Sequence, residues 1–119
     1  MGQGVRQQNF TPAVQGGSTN ANTIALNAAT SSSPTALRTG NLGQNTDVLV
    51  TNSGSNTVFI TWGNSSSIAA VAPTAGTPAN GVPVLAGETM VLGMGFATYV
   101  DAVTLTSTSL VYFTPGQGS

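Results

Sequence analysis

Residues 46–63, TDVLVTNSGSNTVFITWG, contain two runs rich in Val, Thr and aromatic residues, joined by the small polar residues 52–56. Alternation with a period of two predicts a β-strand, and two such runs around a turn of Asn, Ser and Gly predict a β-hairpin. In the second run, Val58 and Ile60 fall on one face and Phe59 on the other. Apolar residues on both faces indicate a pair in the interior of a sheet, not at its edge.

Similar patterns occupy most of the chain after residue 21. Further strands are predicted at residues 24–28, 36–38, 82–85, 88–95, 99–105 and 110–113. The last four would form two more hairpins, which turn at residues 86–87 and 106–108. About eight short strands without a sustained helical period predict an all-β fold, either a small β-sandwich or a small barrel.

The first 21 residues, MGQGVRQQNFTPAVQGGSTNA, have few apolar side chains and no periodicity. Such a segment cannot bury enough apolar surface to order itself. We therefore expect residues 1–21 to form an extended, flexible N-terminal arm, and residues 22–119 to form a single β-sandwich domain. Phe10, held in an extended direction by Pro12, is the predicted anchor of the arm on a neighbouring protein, and Arg6 is the only positive charge in the arm.

Charged residues make up only 4% of the chain, whereas an ordinary globular protein has about 25%. A net charge of −1 gives little repulsion between copies, so self-association is expected through open strand edges and apolar positions such as Met94 and Phe96. Two arginines and no lysine cannot neutralise a nucleic-acid backbone, so nucleic acid is not an expected partner. No run approaches the roughly 20 apolar residues of a membrane helix, and a membrane is not expected either.

The residues that usually carry chemistry are scarce. The chain has no cysteine and no histidine, and its carboxylates are Asp47, Glu88 and Asp101. General acid–base catalysis needs a group that titrates near the working pH, and calcium needs several oxygen ligands that converge. These three carboxylates are far apart in the sequence and fit strand or turn positions. We therefore expect no enzyme, no cofactor, no metal site and no small-molecule ligand, and we expect each carboxylate to be replaceable by its amide.

Carbohydrate recognition is the main rival to a purely structural role. A sandwich with exposed aromatic side chains and Asn-rich loops can bind sugars by stacking. Trp62, Tyr99 and Tyr112 are the candidates for such stacking. Because the chain has few aromatic residues, we expect all three to lie in the core or at its rim.

Three stretches follow one another in the last two thirds of the chain: VLVTNSGSNTVFITWGNSS, GVPVLAGETMVLG and SLVYFTPGQGS. A strand that ends in Asn leads through small residues to a TVF-type strand. A Pro-containing segment then turns through Ala-Gly, and a closing strand finishes in Thr-Pro-Gly with a short Gly-rich tail. This order resembles small virion structural proteins of tailed bacteriophages. The resemblance covers about residues 46–119 and does not extend to the N-terminal third.

The resemblance implies a jelly-roll-like β-sandwich that decorates or cements a capsid. The protein would then be made in the host cytoplasm and reside in the virion. Its partners would be the major capsid protein and copies of itself. The resemblance equally admits a place in the tail or its fibres, so a tail-associated or receptor- or carbohydrate-binding β-module stays as the alternative.

Overall fold

The computed structural model describes residues 10–12, 23–37 and 46–118. Every regular element within these ranges is a β-strand, and none is a helix, so the all-β prediction is confirmed. The nine strands are β1 (Phe10–Pro12), β2 (Ile24–Ala28), β3 (Thr35–Ala36), β4 (Asp47–Asn52), β5 (Val58–Gly63), β6 (Val82–Val84), β7 (Thr89–Gly93), β8 (Tyr99–Thr104) and β9 (Ser109–Gly118).

The strands form two sheets in which all neighbours are antiparallel. The first sheet has the order β1-β9-β4-β7, and β2 also pairs with β9. Gly116 of β9 pairs with Pro12 on one side and with Asp47 on the other, so β1 and β2 lie end to end on the side of β9 away from β4. The second sheet has the order β3-β8-β5-β6.

The core consists of alternate residues from both sheets. Val48 and Val50 of the first sheet and Val58 and Ile60 of the second sheet are all 0% exposed. These residues belong to one apolar cluster, to which Phe113 contributes the largest fully buried side chain. Two antiparallel sheets that share one core agree with the predicted small β-sandwich.

The three predicted hairpins are wrong in the same way. The strands exist near the predicted positions, but the two strands of each predicted hairpin belong to different sheets. β4, β7 and β9 lie in the first sheet, whereas β5, β6 and β8 lie in the second. Each connecting turn therefore crosses from one sheet to the other. A hairpin and a crossing turn place apolar residues with the same period, and only long-range pairing distinguishes them.

Asn52 explains how the first of these crossings is stabilised. Its side chain is fully buried and its amide nitrogen donates hydrogen bonds to the backbone oxygens of Asn56 (2.8 Å) and Val84 (3.0 Å). Its amide oxygen accepts hydrogen bonds from the Gly54 backbone N–H (3.1 Å) and the Ser109 hydroxyl (2.7 Å). All four hydrogen-bonding positions of the amide are thus occupied in the interior.

The other two crossings contact the same amide. Val84 ends β6 immediately before the turn to β7, and Ser109 begins β9 immediately after the turn from β8. Gly54 must be glycine here, because a Cβ atom at this position would overlap the Ser109 hydroxyl. The backbone of Asn52 also bonds the β6–β7 turn, through Gly87 N–H (2.8 Å) and the Glu88 carbonyl (3.0 Å). One residue therefore joins all three crossings.

We predict that Asn52→Ala lowers the free energy of unfolding by about 3–4 kcal/mol, because it removes the four hydrogen bonds of a fully buried amide and takes a partner from three backbone groups. The matched control is Asn56→Ala, whose side chain donates one exposed hydrogen bond to the Thr108 carbonyl (2.9 Å). We expect the control to lose less than about 1 kcal/mol. Urea denaturation measures both, and equal losses would contradict the central position of Asn52.

Candidate interaction surface

The chain itself covers part of the outer face of the second sheet, along β8. In β8, Val100 and Ala102 point to the core, so Asp101 and Val103 point outward, yet they are only 0% and 5% exposed. An isolated bridge pairs Ala29 with Val103, which places the start of the β2–β3 connection beside β8, on the side where β3 also pairs. The outward side of β8 is therefore an internal layer of the protein.

Asp101 holds two covering segments on this face. Its Oδ1 atom accepts hydrogen bonds from the backbone N–H groups of Ser33 (2.8 Å) and Ala102 (2.9 Å). Its Oδ2 atom accepts a bond from the Ala70 N–H (2.7 Å). Ser33 belongs to the β2–β3 connection and Ala70 to the β5–β6 connection, so one carboxylate ties both connections to β8. This is a structural duty for a carboxylate, and the expectation that Asp101 is freely replaceable is revised.

The β5–β6 connection, residues 64–81, is fixed at a second point. Asn80 accepts a hydrogen bond from the Val71 N–H (2.8 Å) and donates one to the Ala69 carbonyl (2.9 Å). Gly81 lies close to both Val71 and Phe59. A Cβ atom added to Gly81 would come within 2.6 Å of the Val71 oxygen and 2.7 Å of the Phe59 Cβ. The connection thus packs against Phe59, on the outward side of β5.

The outer face of the first sheet is open by comparison. Leu49 of β4 pairs with Val91 of β7, and Thr51 pairs with Tyr112 of β9, so these side chains share one face, as does Leu110 two residues before Tyr112. Leu49, Val91 and Leu110 are partly exposed, and Tyr112 is 37% exposed. We call these four apolar residues, Leu49, Val91, Leu110 and Tyr112, the open face.

The border of the open face has little that would oppose contact with another protein. β7 lies at the edge of the first sheet and contains neither a charged residue nor proline. By contrast, the edge strand β6 of the second sheet contains Pro83, and the edge strand β3 has only two residues. Charges and proline are the usual protection of an exposed edge against pairing with another strand. β7 is therefore the least protected of these three edges.

Exposed leucines also mark one end of the sandwich. Leu85 (57% exposed) and Leu105 (69% exposed) directly follow Val84 and Thr104. Both Val84 and Thr104 pair with Val58, one from each side of β5. The two leucines therefore lie about 10 Å apart, two strand spacings, at the end where the crossing turns meet.

The predicted interface residues have different positions in the fold. Met94 is 3% exposed and packs in the core. The expectation that Met94 lies at the surface is therefore wrong. Phe96 is 50% exposed in the turn after β7, where Gly95 has a φ of 61° that glycine adopts readily. Phe10 and Pro12 lie in β1, which pairs with the end of β9, and Arg6 lies outside the described residues.

The aromatic candidates for sugar stacking are separated. Trp62 and Tyr99 belong to the second sheet and are partly buried, with Trp62 packed against the core. Tyr112 belongs to the first sheet and is the aromatic member of the open face. Leu49, Val91 and Leu110 were all missed as surface residues, because apolar residues on both faces of the strands predicted burial.

Comparison with protein-family models, curated proteins and solved structures gives no match for this chain. Within the described ranges, no three Asp, Glu, His or Cys residues lie close enough together to hold a metal ion. The described part of the chain also contains no helix that is long and apolar enough to cross a membrane.

We predict that Asp101→Asn lowers the free energy of unfolding by about 2–3 kcal/mol, because the new amide group faces a backbone donor inside the protein. Glu88→Gln is the control: its Oε1 accepts a hydrogen bond from the Leu85 N–H (2.8 Å), and glutamine keeps one such acceptor. The control should stay within about 0.5 kcal/mol of the parent. Hydrogen exchange at the Ala70 amide should accelerate in the Asp101 variant; unchanged exchange there would contradict the tethering of the connection.

We also predict that the isolated chain associates at high protein concentration and that Val91→Lys weakens this association. The lysine places a charge at the unprotected edge, while its aliphatic stem still covers Leu49. Ala75→Lys, in an exposed part of the β5–β6 connection, is the control with the same change in net charge. Light scattering at low and high salt measures the effect. Equal weakening by both variants would assign it to net charge and not to the open face.

Proposed function

We propose that this chain is a structural protein of a bacteriophage virion that decorates or cements the head through protein–protein contacts. In this proposal it acts by binding, without catalysis or a cofactor. The partners are the major capsid protein and copies of the chain itself. The observation that carries the proposal is the asymmetry of the sandwich, in which the chain's own connections cover part of one outer face and the other presents the open face.

The fold proposed for this function is a jelly roll, a double-sheet architecture with eight strands that is used by viral capsid proteins. The order of the strands supports it. If β2 is taken as the first of eight strands, the sheets have the orders first-eighth-third-sixth and second-seventh-fourth-fifth. Such an order results when a long antiparallel hairpin is rolled over a core, as in two Greek keys. The remaining strand, β1, is then an addition to the edge.

The open face has the physical character of a protein contact. An apolar centre with Thr51 and Thr114 beside it matches the apolar core and polar rim of protein interfaces. A stable interface buries about 800 Å² on each partner, so a partner would cover this whole sheet face and its β7 border. The described residues contain no Lys or Arg, so attachment depends on apolar burial and hydrogen bonds. Such attachment resists salt, unlike charge pairing.

The second candidate is a tail-associated or receptor-binding module that recognises carbohydrate. Tyr112 favours this alternative, because it is an exposed aromatic side chain on an open sheet face and jelly rolls also occur as lectins. Trp62 and Tyr99 would not share its binding platform, since they belong to the other sheet. A single tyrosine provides one stacking position, which favours the protein-contact proposal.

The experiment that tests the proposal is to locate the chain in purified particles by electron-microscope reconstruction and mass spectrometry. A head decoration or cement protein is present in many copies over the capsid surface. A tail module is present in few copies at the vertex or the tail tip. Absence of the chain from the particles would overturn both virion proposals.

We predict that the double variant Leu49→Ser/Tyr112→Ser binds to heads that lack the protein at least about tenfold more weakly than the parent, because two apolar contacts at the centre of the interface are lost. Val71→Ser is the control, since Val71 is an exposed apolar residue (52%) on the opposite side of the sandwich. Thermal melting of the variants should stay within a few degrees of the parent. Loss of glycan binding with unchanged head binding would favour the carbohydrate alternative.

A further inference from the structure

β1 and β2 both pair with the same side of β9, but the register of β1 on β9 does not continue that of β2. Pro12 pairs with Gly116, and Ile24 pairs with Phe113. Eleven residues separate Pro12 from Ile24 along the chain, whereas two residues separate their partners on β9. The connection from β1 to β2 therefore contains nine residues more than the direct path beside β9 needs.

This excess gives β1 a long reach. The three steps of β9 between Gly116 and Phe113 cover about 10 Å. The twelve steps of chain between Pro12 and Ile24 can cover about 40 Å when extended. β1 can therefore move by about 30 Å from its observed position without any change in β2 or in the core.

The pairing of β1 is also separate from the rest of the sheet. β4 pairs with β9 as far as Gly116, whereas β1 pairs with Gly116, Gln117 and Gly118. Beyond Gly116, β1 is thus the only strand that pairs with this segment among the described strands. A two-stranded ribbon of three residues is marginally stable by itself. It can dissociate and reform without unfolding the sandwich.

We propose that β1 is an exchangeable strand that leaves its own β9 and pairs with Gly116–Gly118 of a second copy of this chain. The exchange preserves every backbone hydrogen bond of the β1–β9 pair, so its free-energy cost is the entropy of association. Pairing within one chain has an effective concentration of millimolar order, so exchange dominates where neighbouring copies are held at or above about that concentration. This inference depends on the two registers alone and is independent of the proposed virion role.

The registers also provide a variant that prevents exchange. Deletion of residues 13–21 removes the nine excess residues, so that Pro12 faces Gly116 in the same register in which Ile24 faces Phe113. Residues 22 and 23 then face Pro115 and Thr114. The hydroxyls of Thr23 and Thr114 are already hydrogen-bonded at 2.8 Å, so the register of β2 extends in this direction. In the deletion variant, β1 and β2 form one strand that cannot reach a second copy.

The experiment uses engineered disulfides, because the chain has no cysteine of its own. Thr11 pairs directly with Gln117, and opposed residues of neighbouring strands are within the Cα distance that a disulfide requires. A Thr11→Cys chain is mixed with a Gln117→Cys chain at about 1 mM, so that a heterodimer forms only by pairing between copies. Thr11→Cys mixed with Ala75→Cys, in an exposed connection, measures disulfides from random collision.

We expect the Thr11→Cys and Gln117→Cys mixture to form heterodimer at least about fivefold faster than the collision control. Deletion of residues 13–21 in the Thr11→Cys chain should reduce this rate to that of the control. The double variant Thr11→Cys/Gln117→Cys should form an internal disulfide at micromolar concentration. An internal disulfide without excess heterodimer would overturn the exchange. Absence of both disulfides would overturn it as well, because the β1–β9 pairing itself would then be wrong.

Discussion

The buried amide of Asn52 is the interaction on which the arrangement of the two sheets depends. A sandwich whose successive strands change sheets needs turns that bring backbone polar groups across the edge of the core. Unpaired groups of this kind cost about 1–3 kcal/mol each. Here the three turns after β4, β6 and β8 meet at one side chain, which satisfies groups from each of them. A single residue therefore satisfies polar groups from all three crossings.

Asp101 has a comparable effect on the other side of the second sheet, with a different consequence. Its carboxylate bonds N–H groups from two connections and from its own strand. The connections then cover outward-facing residues that alternation alone would leave exposed. The outward-facing Leu49, Val91 and Leu110 of the first sheet are, by contrast, partly exposed. The hydrogen bonds of Asp101 thus account for the covered side of this asymmetry.

The fold class and the strands could be predicted from the sequence, because alternation and turn residues are local signals. The pairing could not be predicted, since a hairpin and a crossing turn share the same period. Leu49 and Phe59 illustrate the same limit for the surface. Both have the parity opposite to the core, yet Phe59 lies under the β5–β6 connection and Leu49 lies on the open face. Only the long-range contacts of Asp101 and Gly81 make that distinction.

The position of β9 has a consequence for how the protein is made. β9 lies between β4 and the β1–β2 side of the first sheet, and it is the last of the described strands to leave the ribosome. At about 5–20 residues per second, β2 and β4 emerge several seconds before the strand that joins them. The first sheet therefore closes only after translation has passed residue 118. Until then β2, which contains no charged residue, lacks its partner strand, which makes prompt completion of β9, or shielding by a chaperone, a condition for productive folding.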